Sequence, residues 1–408
     1  MKKPMANRLG RTEALNGEAA APASSGWAVT ERESIVTHLR MLADHIGARP
    51  AGSEEATRAQ RYVIQAIRDR GFSPDIQPFF VATSRYERCE LVTEGGLAVP
   101  CLPVVGSAST AGSVRGIPRA FPPGALPGRD TDCKYAGTFL VCPLRPGAEN
   151  EHVRLALERR PAAVLFYHEG VPDLYSEVLP SGFDGVTPCV TIRRADAQWF
   201  AVECPRVRLT LTRTLVKISC SNILVEAGKG GRPLLFLAHY DTRPGCSGAF
   251  RNASGVAALL ELLTRLRGWT GHRIVVGFLD AEELGGAGSQ HCCDVFQAVG
   301  GLRNTRGVVY VSGMGLRRVA VLSAPSHSAP HLVDVARRCA ADERILLPDE
   351  LFPPGEVPIP PGVWPHPTMA LSGPPLAIQH TSADRPDLLH PGCLAQAVSL
   401  LDRLARAS

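Results

Sequence analysis

Leu234-Leu235-Phe236-Leu237-Ala238-His239-Tyr240-Asp241 is the stretch from which the fold is read. Five consecutive apolar residues without alternation mark a strand buried on both faces. The imidazole and carboxylate that follow fall where that strand must end. Downstream, Val256, Leu259, Leu260, Leu263 and Leu266 lie on one face of a helix that starts near Ser254, with Gly268 as its terminator. Further strands are predicted at Arg273 to Leu279, Gly307 to Val311, Val319 to Leu322 and Leu376 to Gln379, and helices at Pro330 to Ala341 and Gly392 to Ala405. The Pro-rich segment from Leu347 to Pro375 reads as a long loop. This alternation predicts an α/β fold, a mostly parallel mixed sheet with helices on both faces, with ligands held at the carboxyl ends of its strands.

Upstream, Ile35, Leu39, Leu42 and Ile46 recur at helical spacing, and a second helix is expected from Glu54 to about Arg70, stopped by Gly71. From about residue 100 the texture changes to short β-type runs such as Thr138 to Val141, Ala163 to Phe166 and Val190 to Ile192. The expected organisation is a disordered tail over 1–28, a first part of the main domain over 29–99, a β-rich insertion over 100–212 and the rest of the main domain over 213–408.

The net charge of +5, from 44 basic and 39 acidic residues, is spread without a like-charge run, which argues against a nucleic-acid partner. No apolar stretch approaches the roughly 18 residues that span a bilayer. The first residues lack the apolar core of a signal peptide. The 12 cysteines show no CxxC or zinc-finger spacing, so free thiols in a reducing cytoplasm are expected. The pattern specifies no oligomeric state.

Three polar clusters end apolar strands: His239-Tyr240-Asp241, Asp280-Ala281-Glu282-Glu283 and His380-Thr381-Ser382-Ala383-Asp384. Any one alone reads as a strand terminating in solvent. Together in one sheet they read as a site, because imidazole and carboxylate are the zinc ligands favoured outside thiolate centres, and an adjacent carboxylate can orient a histidine or act as a base.

These clusters also carry a resemblance. Leu237 to Thr242, Asn252-Ala253-Ser254-Gly255, Leu279 to Glu283 with Gly288-Ser289, and His380 to Asp384 resemble, in order and spacing, the motifs of the dizinc aminopeptidase and glutamate carboxypeptidase family, metallopeptidase family twenty-eight of clan MH. The likeness runs from about Glu31 to Leu404, and Pro188 to Ile192 is similar to the protease-associated domain often inserted in that family. The resemblance implies His239, Glu283 and His380 as metal ligands, Glu282 as general base and Asp241 as the carboxylate that orients His239. Two positions depart from it. Arg251 stands where the family has the aspartate bridging both metals, and Ser312 where it has a further aspartate ligand. A guanidinium cannot be deprotonated. Beside a dication at about 4 Å it costs about 8 kcal/mol at an effective dielectric near 20.

Several readings stay open at this stage. One is a remodelled hydrolase of peptide or aminoacyl amide bonds with at most one zinc, on His239, Glu283 and His380, acting on a small peptide or amino-acid-derived substrate. Acyl transfer or cyclisation, as in the family's one-zinc glutaminyl cyclases, is a variant of it. Another is a metal-free binding protein in which Arg251 pairs with Glu282, Glu283 or Asp241. A third uses Arg251 to bind a substrate carboxylate or phosphate at the start of the Ser254 helix.

Overall fold

The computed structural model describes residues 29–121, 135–144, 149–179, 185–298, 305–316, 320–323, 330–342, 368–373 and 378–407. In chain order the elements are α1 (Val29–Arg40), α2 (Glu54–Asp69), β1 (Asp75–Thr93), β2 (Ala98–Val99), β3 (Cys101–Pro103), β4 (Val114–Gly116), β5 (Pro118–Ala120), β6 (Phe139–Leu144), α3 (Glu149–Glu158), β7 (Ala163–His168), β8 (Cys189–Ile192), α4 (Arg194–Glu203), β9 (Val207–Ala227), β10 (Leu234–His239), α5 (Ser254–Arg265), β11 (Ile274–Leu279), α6 (Ala287–Ala298), β12 (Gly307–Ser312), β13 (Ala320–Ser323), α7 (Pro330–Asp342), β14 (Thr368–Ser372) and α8 (Pro391–Ala407). The tail expected over 1–28 lies outside the described residues.

The main sheet runs β13-β14-β12-β10-β11-β9-β1-β2, with β4 also on β9. β10 is parallel to β11 and β12, and β12 is parallel to β14, whereas β9 is antiparallel to β11 and β1. The sheet is therefore mixed, as the sequence predicts. Its central strand explains the unbroken apolar run. Leu234, Phe236 and Ala238 join the core under α1, α5 and α8, while Leu235 and Leu237 join the opposite core with Cys292, Cys293 and Phe296 of α6. Successive side chains of one strand thus fill two cores, each fully buried Leu or Phe contributing about 1.5–3 kcal/mol.

One expected strand is displaced. The sequence predicts a strand at Leu376 to Gln379 with a loop upstream, but the strand found is β14, between β12 and β13, and Ile378 to His380 form a turn; 376–377 lie outside the described residues. Thr368-Met369-Ala370-Leu371-Ser372 is the better strand, fully buried and ended by Gly373.

The second sheet, β3-β8-β7-β6-β5, is drawn from residues 101–192 and carries its own apolar clusters. It hangs from the long β1–β9 ribbon, paired from Asp75↔Leu224 to Thr93↔Val207. Residue 212, where the insertion was expected to end, lies inside β9, so the chain returns to the main sheet within one continuous strand.

Arg49 ties the N-terminal helices to this sheet. It is fully buried and donates to the carbonyls of Leu42, Gly47, Tyr240, Ser247 and Gly248. Burial lowers its pKa to about 10, so it remains charged at neutral pH. Arg49→Lys, with three donors for these five acceptors, is expected to cost about 1–3 kcal/mol, read by urea denaturation.

Candidate functional site

Because β10, β11, β12 and β14 are parallel, their carboxyl ends meet at one edge. His239 pairs in register with Leu279, and Ser312 with Ser372. The polar residues that end these strands are thereby gathered at one place.

Asp241 organises the first cluster. It is fully buried, and its Oδ1 accepts from Glu282 N at 3.1 Å and its Oδ2 from Glu283 N at 3.0 Å. His239 Nδ1 lies 3.2 Å from Asp241 Oδ1, leaving Nε2 as the free ring nitrogen. Burial opposes protonation of His239, but the bond to Asp241 and the charges of Asp241, Glu283 and Glu282 raise its pKa above the ordinary value. Orientation of His239 by Asp241 is thus the geometry found.

Glu282 is held by α6 and β12. Its carboxylate accepts from the backbone N–H of Ser289, from Ser289 Oγ at 2.9 Å and from Tyr310 Oη at 3.1 Å. Gly288 makes the first contact possible, since a Cβ there would stand 2.1 Å from the Asp280 carbonyl oxygen. Burial pushes Glu282 up to about 7, with Asp241 adding and His239 and Ser289 opposing. Asp280, bonded to Ser221 N and Ala281 N, is also pushed up to about 7 by burial and by Asp241. Both folded pKa values lie above those of the unfolded chain, so the folded state retains protons that the unfolded state has released. Stability is therefore expected to fall as pH rises from about 4 to 7, and Glu282→Gln to flatten that slope by about 1–3 kcal/mol over the window, measured by urea denaturation across pH.

Glu283 has a partner the sequence reading missed. Arg243 Nε donates to its Oε2 at 2.8 Å, and Arg243 Nη1 lies 3.3 Å from Glu177 Oε1 and donates to the Ser176 carbonyl. His380 Nδ1 is 3.7 Å from Glu283 Oε1. Burial would raise Glu283, but His380, Arg243 and His239 hold it well below the usual carboxylate range. His380 itself is pushed well below its ordinary value by burial and by the charge of Arg243. Of the groups around Glu283, it is therefore the permanent cation Arg243 that keeps it ionised.

The segment between β7 and β8 of the second sheet reaches this cluster. Ser176 N donates to the His380 carbonyl at 3.1 Å, and Tyr175 stands edge-on to the His380 ring with centroids 5.8 Å apart. His380 and Ala281 both have positive φ, 61° and 57°, so two residues of the site hold a conformation that costs about 1–3 kcal/mol each.

The two departing positions are Arg251 and Ser312. Arg251 precedes α5, and Asp384 fixes it by accepting from Phe250 N at 2.6 Å and Arg251 N at 3.2 Å. Burial raises Asp384 to about 6, against those bonds. Ser312 is fully buried at the end of β12. Gly255 opens α5 where a Cβ would lie 2.5 Å from the Val311 carbonyl oxygen, which allows the helix to meet that strand. Arg251 does not make the expected pair with Glu282, Glu283 or Asp241. Among the described residues its guanidinium has no hydrogen-bonded or ionic partner, and the arginine on Glu283 is Arg243.

This donor set does not fit a zinc centre as it stands. One oxygen of Glu283 is engaged by a guanidinium, Arg251 adds a second cation, and among the described residues no three His, Cys, Asp or Glu side chains are spaced to hold a metal. His239, Glu283 and His380 share the strand edge without converging on one point.

Comparison with known proteins agrees with the fold. A zinc aminopeptidase from Bacillus subtilis superposes with a TM-score of 0.77 at 20% identity, covering 92% of this chain and 94% of that one. An Acidobacteriales glutaminyl cyclase gives 0.53 at 14% identity, covering 95% and 98%. In sequence, a protein described as the probable lipoprotein aminopeptidase LpqL of Mycobacterium tuberculosis is 24% identical over 294 residues, 66% of this chain; the match spans 57% of that relative's length. Residues 222–354 match the model of Peptidase family M28. That stretch contains β10, the Arg243 loop, α5, the Glu282–Glu283 turn and Ser312.

Proposed function

We propose that the protein binds a peptide or amino-acid-derived ligand in an aminopeptidase-type cleft and does not carry out two-zinc hydrolysis. The observation behind this reading is the 2.8 Å contact of Arg243 with Glu283. A guanidinium stands against the carboxylate that the resemblance makes a metal ligand, and at accessible pH it keeps its charge. Removing it from Glu283 to admit a cation would strip that carboxylate of its guanidinium. The ligand class follows from the fold family and from LpqL, named as an aminopeptidase. The 101–192 sheet is assigned as a protease-associated-type insertion that lends Tyr175, Ser176 and Glu177 to the cleft, and the protein is assigned to a reducing, cytoplasmic setting.

The test is turnover of aminoacyl p-nitroanilides and of glutaminyl peptides, with and without added zinc, alongside Glu282→Gln. The binding reading expects no rate above the blank in either protein. A second reading, an aminoacyl amide hydrolase or cyclase with at most one zinc, is favoured by the carboxyl of Glu282, poised near neutrality beside His239. Turnover that disappears in Glu282→Gln would establish that reading and sink the first.

A further inference from the structure

Arg251 brings a positive charge into the site without a hydrogen-bonded or ion-paired acceptor for its guanidinium among the described residues, and Glu283 and Asp384 act on it only through charge at longer range. Its Nε is buried without an acceptor. Ser312, 0% exposed, likewise buries an Oγ without a partner. The segments that carry these two groups meet, because Asn252 Nδ2 donates to the Val311 carbonyl at 2.8 Å and holds the Arg251–Asn252 segment against the end of β12. Ser312 also shares a face of that strand with Tyr310, whose hydroxyl donates to Glu282. Arg251 is half-buried with its Nε sealed from solvent, Ser312 is fully buried, and each unmet polar atom carries a desolvation cost.

We propose that Arg251 and Ser312 form a recognition site for a carboxylate of the bound ligand, one oxygen accepting from the guanidinium and the other from the Ser312 hydroxyl. The inference rests on the binding reading given above and names the group that the ligand must carry. Charge decides for carboxylate over phosphate. Arg243 is already engaged by Glu283 and Glu177, so the guanidinium left without a contact partner is that of Arg251, which a monoanion matches in charge. A phosphate dianion would bring surplus charge toward Glu282, Glu283 and Asp241.

Acetate serves as the probe. In uniformly nitrogen-15-labelled full-length protein, the Nε–H resonance of Arg251 is assigned by its loss in Arg251→Met and followed during titration at constant ionic strength. Acetate is expected to shift it saturably, acetamide to leave it unmoved, and inorganic phosphate to bind at least tenfold more weakly. Ser312→Ala should weaken acetate at least fivefold. No saturable shift with acetate, an equal response to acetamide, or tighter binding of phosphate would overturn the proposal. Metal content separates the two levels of the account. Stoichiometric zinc in the wild type defeats the binding reading, whereas a zinc-free protein silent to acetate defeats only this inference.

Discussion

Arg243→Met is expected to destabilise the folded protein by about 3–5 kcal/mol at pH 7, because it takes from the nearly buried carboxylate of Glu283 the guanidinium that faces it. The pH dependence carries the diagnosis. The folded-state pKa of Glu283 is depressed, so its ionisation contributes stability above the unfolded value of 4.5 and loses that contribution as pH falls through the folded value. In Arg243→Met that contribution is gone, and the deficit against wild type should therefore be largest near neutrality and shrink below about pH 4.5. Adding Glu283→Gln to Arg243→Met should recover part of the loss, since a neutral amide needs no counter-ion. Equal urea midpoints for Arg243→Met and wild type at pH 7 would show that the contact is incidental.

The second large effect is a change in metal binding. Arg251→Asp with Ser312→Asp restores a carboxylate at each departing position, yet in this geometry the pair alone leaves Arg243 on Glu283. The triple variant, with Arg243→Ser added, frees that carboxylate and removes both cations from the strand edge. It is expected to take up about two zinc ions per chain, with the double variant well below it. Isothermal titration with zinc, circular dichroism confirming the fold, reads the difference. A folded triple variant that takes up no zinc would contradict the assignment of Arg251 and Ser312 to the ligand positions.

Local pattern accounts for much of what could be read before the structure. The apolar run of β10 and the one-faced helix α5 follow from periodicity and found their places within a residue or two. His239, Asp241, Glu282, Glu283 and His380 were visible because each sits next to a strand end or a turn that sequence marks. The contacts that decide the chemistry were not visible. Arg243 lies two residues after Asp241 in a Pro-Gly loop, and its bond to Glu283 spans 40 positions. Only the parallel pairing of β10 with β11 brings the two together. Tyr175, Ser176 and Glu177 lie outside any named strand or helix, where no periodic signal points toward a site in another sheet. Asp384 belongs to the cluster that begins at His380, but its role in holding the Arg251 backbone depends on the turn after His380. The signal that could have found Arg243 was charge. A cation within a loop otherwise headed by metal-ligand residues is itself an anomaly, as Arg251 is.

The direct test of the central claim, that guanidinium groups stand where the fold family places metal, is zinc per chain by elemental analysis on wild-type protein purified without chelator, with His380→Ala as control. The account predicts well under one zinc, unchanged by His380→Ala and by dialysis against excess zinc. One or more tightly held zinc ions per chain, lost in His380→Ala, would contradict it.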